Sequence, residues 1–256
     1  LLAAAYGGTA FSSLTRGFFA GEVAESNVIQ SFEVASQGNA ADFGNLTVAP
    51  QGPAGLSNTT RGIIGGGEVS PSRTNVIGYI TMATAGDAAD FGDLTVARSY
   101  LGATGNATRG IFTGGDVHPS YKNEIDYVTI ASTGNATDFG DLLTEKSNGV
   151  GLSSSTRGTF GGGYISDAET NVNEYVTIAS TGNSTDFGNL TVARQDLAGA
   201  SNSIRGIIAG GAAPGVSNVL DFFTIASTGN SADFGDLTSV KRGPAGNSDS
   251  HGGLQG

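Results

Sequence analysis

Residues 173–194 read NEYVTIASTGNSTDFGNLTVAR, and the fold follows from how this stretch is built. The run 172–178 and its counterparts 76–82 and 219–225 are rich in β-branched and aromatic residues, the composition of a strand. Clusters of Gly, Asn, Ser and Thr bound each run, the usual strand punctuation. Apolar residues fall on both parities, as at Ile125, Tyr127, Val128 and Ile130, so this strand is expected to be covered on both faces. No heptad is present, and no apolar stripe of helical period runs longer than two turns.

Outward from this stretch the same wording recurs. Asp-Phe-Gly begins at Asp42, Asp90, Asp138, Asp186 and Asp233, at intervals of 48, 48, 48 and 47 residues. Arg-Gly begins at Arg16, Arg61, Arg109, Arg157 and Arg205, at intervals of 45, 48, 48 and 48 residues. Four short β segments in a unit of about 48 residues match the size of a propeller blade. The expected fold is therefore all-β: one propeller domain over residues 1–256, with about five four-stranded blades. Its units run approximately 1–45, 46–93, 94–141, 142–189 and 190–236, and the surplus segment 237–256 aligns with 1–20. A strand from one terminus is expected to close the ring; the alternative is a sixth, incomplete blade or an open array. A start at Leu1 reads as a processed product or part of something longer.

Composition narrows the function classes. Gly and Pro make up about 19 per cent of the chain, below the level of low-complexity disorder. The 42 glycines suit crowded strands, where backbones approach too closely for larger side chains. Cysteine is absent, which removes disulfides, thiolate metal sites and cysteine nucleophiles. A net charge of −11 disfavours nucleic acid as a partner. Apolar runs such as 1–6 fall far short of the roughly 20 residues of a spanning helix, so no membrane insertion is expected.

The order of features in each unit resembles a kelch repeat. Double glycines stand at Gly65-Gly66, Gly114-Gly115, Gly161-Gly162 and Gly210-Gly211, followed by Tyr79, Tyr127 and Tyr175, with Phe32 and Phe222 as counterparts. A terminal aromatic follows at Phe43, Phe91, Phe139, Phe187 and Phe234, where kelch repeats usually carry Trp. The wording of 173–194 is also similar to repeat arrays in structural and tail-fibre-like proteins of tailed bacteriophages, notably marine and cyanobacterial ones. That resemblance implies an extracellular virion component without enzymatic activity. Its partners would be other virion proteins, copies of itself, or a cell-surface glycan.

Residues present in every unit are what a blade needs for itself. Arg61, Arg109, Arg157 and Arg205, with Asp42, Asp90, Asp138, Asp186 and Asp233, are assigned to structure. The expectation is an Arg–Asp pair or an Asp turn-cap, Arg109 or Arg157 holding the turn that carries Asp90 or Asp138. The competing reading is Ca²⁺ held by Asp138, Asp141 and Asn135, although the spacing does not match the Asp-x-Asp-x-Asp-Gly calcium loop. With only His118 and His251, no His–His or Glu–His pair at metal spacing, and no nucleotide-binding loop, no catalytic residue, metal or other cofactor is assigned. A glycan hydrolase or lyase using paired carboxylates is the enzymatic alternative, and a filament-forming or shell-forming array the architectural one. Sequons such as Asn106 and Asn183 are read as products of composition.

The units disagree in one place, between the double glycine and the following Asn: residues 22–26, 68–74, 116–122, 164–170 and 212–217. In a propeller such loops emerge on one face, and variation in repeat proteins gathers on the face that binds. Arg73, Asp116, His118, Tyr121, Tyr164 and Asp167 are therefore the candidate partner contacts. Aromatics with neighbouring acids and amides suit sugar rings.

Overall fold

The computed structural model describes residues 7–22, 26–243 and 245–246, and every regular element among them is a strand. His251 and most of loop 22–26 lie outside the described residues. The chain forms five four-stranded antiparallel blades of a β-propeller. Blade 1 comprises β1 (Thr9–Ser12), β2 (Arg16–Glu22), β3 (Ser26–Glu33) and β4 (Ala41–Asn45). Blade 2 comprises β5 (Ala54–Ser57) and β6 (Arg61–Gly65), a small hairpin of β7 (Glu68–Val69) and β8 (Ser72–Arg73), then β9 (Val76–Thr81) and β10 (Ala89–Asp93). Blade 3 is β11 (Gly102–Gly105), β12 (Arg109–Thr113), β13 (Glu124–Thr129) and β14 (Thr137–Asp141). Blade 4 is β15 (Val150–Ser153) and β16 (Arg157–Gly161), the hairpin of β17 (Tyr164–Ile165) and β18 (Ala168–Glu169), then β19 (Val172–Thr177) and β20 (Thr185–Asn189). Blade 5 is β21 (Ala198–Ser201), β22 (Arg205–Ala209), β23 (Ala212–Ala213), β24 (Gly215–Thr224) and β25 (Ala232–Lys241).

The inner strands β1, β5, β11, β15 and β21 stand next to one another along a narrow channel lined by small residues, among them Ala54, Gly102, Gly151 and Ala198. A Cβ on Gly151 would lie 2.3 Å from the carbonyl oxygen of Ala103 on the neighbouring blade, so this crowding sets the Gly and Ala content. The apolar core is divided into one cluster per blade–blade interface. Phe43 and Leu46 meet Ile80 and Met82; Phe91 and Leu94 meet Val128 and Ile130. Phe139 and Leu142 meet Val176 and Ile178; Phe187 and Leu190 meet Phe223 and Ile225. The third strand of blades 2, 3 and 4 thus serves two interfaces, in blade 3 with Ile125 on one side and Val128 on the other, as its double parity requires.

The Asp-Phe-Gly signature has one job per residue. Asp138 Oδ1 accepts the Gly140 N–H at 3.1 Å, Phe139 enters the core, and the strand bulges at this point. Asp42, Asp186 and Asp233 cap their own turns in the same way. The glycine lets the next blade approach: at Gly92, with φ 146°, a Cβ would stand 2.5 Å from the backbone of Gly134. The Gly134 N–H then donates to the Phe91 carbonyl at 2.7 Å.

Of the two arrangements expected from sequence the Asp turn-cap is present, whereas the repeated arginines do not pair with these aspartates. The guanidinium of Arg109 lies 4.3 Å from the Tyr127 ring centroid and donates to the Ile178 carbonyl of the next blade at 2.7 Å. Arg61 reaches Ile130 and Arg157 reaches Ile225 in the same manner. A planar cation spreads over an aromatic face while its edge donors reach a strand-end carbonyl, and the Asp oxygens are already engaged by their own turn. Two residues of the calcium reading, Asp138 and Asn135, have other partners within the repeat. Asn135 Oδ1 accepts the Asp93 N–H, a blade-to-blade bond, and no group of three or more His, Cys, Asp or Glu able to hold a metal occurs among the described residues.

Buried ion pairs within blades were not anticipated. Arg98 meets Asp126 at 3.0 Å, Lys146 meets Glu174 at 2.8 Å, and Arg194 meets Asp221, with the acids fully excluded from solvent. The blade 2 counterparts are Pro50 and Gly78, so cation and anion are lost together there. Burial pulls the Arg98 and Lys146 pKa values below their usual range, and the facing carboxylates oppose that pull.

Candidate functional site

One end of the channel is built from a ring of left-handed residues. Gly7, Gly52, Tyr100, Asn148, Asp196 and Gly243 all have φ between 54° and 70°. From Gly52 onward each N–H donates to the carbonyl of the previous position: Gly52 to Gly7 at 2.9 Å, Tyr100 to Gly52 at 2.7 Å, and Asn148 to Tyr100 at 2.9 Å. Asp196 then donates to Asn148 and Gly243 to Asp196, both at 3.0 Å. This backbone ladder passes from blade to blade and encircles a cavity of about 440 Å³, lined by Gly7, Gln51, Tyr100, Asn148, Asp196, Arg242 and Gly243. Side chains in this conformation are strained relative to glycine, and such strain gathers at functional positions. Inside the ring Gln51 Nε2 donates to the Tyr100 hydroxyl at 2.7 Å, and Arg242 Nε donates to Asp196 Oδ2 at 2.7 Å. Burial, followed by the negative charge of Glu68, raises the Tyr100 pKa above its usual 10.

The variable loops stand around this mouth. Antiparallel bridges join Gln51 to Glu68, Ser99 to Asp116, Ser147 to Tyr164 and Gln195 to Ala212, so each hairpin is tied to a residue adjoining the ladder. The structure brings the sequence candidates of three blades into contact. Arg73 spans from Glu68 on its own hairpin, at 3.2 Å, to Asp116 on the next, at 2.7 Å. The Tyr121 and Tyr164 rings of neighbouring hairpins meet edge to face with centroids 5.9 Å apart. Burial raises the Tyr121 pKa, with Tyr164, Asp116 and Asp167 adding to the rise. Asp167, at φ 95°, is exposed at the tip of the blade 4 hairpin. His118 is exposed too, and its N–H donates to Asp116 Oδ1 at 2.5 Å.

The residues of the inner ring escaped the sequence reading because they lie outside the variable loops. Their signal was a single variable position two residues after the repeated cation, or after Pro50 in blade 2: Gly52, Tyr100, Asn148, Asp196 and Gly243 in otherwise equivalent places. Rim and ring together offer stacking rings, hydroxyl and amide donors, and carboxylate acceptors on one face. That set suits hydrogen bonding to a polar, ring-shaped ligand. No protein-family model matches the chain, and no curated protein matches it either.

Proposed function

We propose that this chain is a non-enzymatic binding module that presents one face of a propeller to an uncharged glycan. The observation that carries this reading is the convergence of Arg73, Asp116, Tyr121 and Tyr164, from three separate blades, around a mouth that also holds Tyr100. A volume of about 440 Å³ falls within the roughly 300–1,000 Å³ of small-ligand sites. The net charge of −11 disfavours anionic sugars and leaves neutral ones. The similarity of residues 173–194 to tail-fibre repeat arrays supports a place on a virion, outside the cell, as a structural or adhesion component. Many copies on one particle would then multiply weak contacts, gaining on the order of 10²–10⁴ in avidity.

A panel of neutral oligosaccharides tests this directly. Binding should be saturable, lost at least tenfold in Tyr164→Ala and Tyr121→Ala, and unaccompanied by turnover. Equal binding by the variants would remove the rim from the site, and released sugar would make the protein a hydrolase.

A further inference from the structure

The ladder has six positions, yet five carry a whole blade. The sixth is held by Gly243 at the mouth and by Ala245 and Gly246 along the channel. Gly246 packs on Gly199 as Gly151 packs on Ala103. Residues 243–246 also repeat the GPAG of 52–55, which leads into the inner strand of blade 2. Residues at the place of an inner strand, without strand structure of their own, therefore stand in a sector that has no outer strands among the described residues.

Both walls of that sector are blade faces that are covered everywhere else. On blade 5, Phe234 is 49% exposed, whereas Phe43, Phe91, Phe139 and Phe187 are at most 4% exposed. A Cβ on Gly235 would meet open space, whereas one on Gly92 or Gly188 would strike the next blade. Arg205 stacks on Phe222, but among the described residues no carbonyl of a following blade stands within its reach. Lys241 occupies the place of Lys146 and is exposed. On blade 1, Val34 is 58% exposed, whereas its counterparts Met82, Ile130, Ile178 and Ile225 are at most 2% exposed.

We propose that a three-stranded antiparallel unit of this same repeat, carried by a partner chain, docks between blades 5 and 1 and takes Gly243, Ala245 and Gly246 as its inner strand. Both halves of that interface continue an interface the molecule already makes four times. Charge specifies the occupant further: Lys241 faces the position that Glu174 fills opposite Lys146, so the incoming strand carries an acid there. An intact second copy does not fit. Its blade 1 brings its own inner strand, and its blade 2 would fall where blade 1 of the first copy stands.

The probe is a polypeptide of residues 157–194, which supplies the carbonyl of Ile178 for Arg205 and Glu174 for Lys241. It should bind one to one, raise the melting temperature, and slow hydrogen exchange at Gly235 and Asp236. Lys241→Glu should weaken binding at least tenfold, and Glu174→Lys in the probe should restore it. Since Lys241 is exposed, its substitution leaves folding intact. Binding indifferent to this charge exchange would overturn the proposal. Should the free probe fail to bind, a copy of residues 154–194 joined after residue 248 decides the matter. Unchanged exchange at Gly235 and Asp236 in that extended chain would also overturn it.

Discussion

Glu174 is excluded from solvent, yet it receives the Lys146 ammonium, the Leu143 N–H at 2.7 Å and the Ser184 hydroxyl at 2.6 Å. Such a pair contributes little net stability, but removing one partner strands the other charge. Glu174→Ala should therefore cost about 3–5 kcal/mol in denaturant unfolding, whereas the double change Lys146→Met with Glu174→Leu should stay close to the parent. Tyr100 titrates in the opposite sense to Lys146, its folded pKa being raised by burial and by Glu68. Its neutral form is favoured by the fold, so that contribution is fully present below pH about 10 and is lost as pH rises through the higher folded value. Alkaline melting curves should accordingly fall less steeply for Tyr100→Phe. The cations at positions 98, 146 and 194 were visible in the sequence, but their partners stand 27 or 28 residues further on. Propensity and local pattern do not span that distance. The simultaneous loss of both at Pro50 and Gly78 was the legible sign.

A blade edge is held to its neighbour by a bulge, an aromatic plug and an arginine. Gly92→Ala places a Cβ against the Gly134 backbone at a φ that side chains rarely adopt, and should cost about 1–3 kcal/mol in thermal or chemical unfolding. The arginines should be unequal although both stand in the same Arg-Gly position of the unit. Arg157→Ala removes a 2.8 Å bond to Ile225 and a ring contact, and should cost about 1.5–3 kcal/mol. Arg205→Ala removes only the contact with Phe222 and should cost under about 1 kcal/mol. The strands themselves were legible, because period, turn residues and double parity all point to one answer. The arginine's acceptor was not, since a backbone carbonyl 68 or 69 residues away leaves no mark on sequence.

At the scale of the molecule, stability is shared among four interfaces of similar make, and blades 1 and 5 each lack one. In a repeat architecture, elements with one neighbour open more readily than those with two. Amide exchange should be slowest in β13 and β19 and faster in β3 and β25. Uniform protection across the five blades would show a cooperative unit instead. The propeller and the rim were legible from the 48-residue period and from the loops that break it. The mouth was not, because its geometry comes from placing single residues of distant units on one circle. That circle has an electrostatic consequence. The five ladder amides from Gly52 to Gly243 each donate to the carbonyl before them, so these peptide dipoles run head to tail around the axis and not along it. Vectors arranged on a circle nearly cancel, and no charged pole of the kind found at a helix end faces the cavity. Discrimination among ligands at the mouth therefore falls to the phenol of Tyr100, the amides of Gln51 and Asn148, and the joined charges of Asp196 and Arg242.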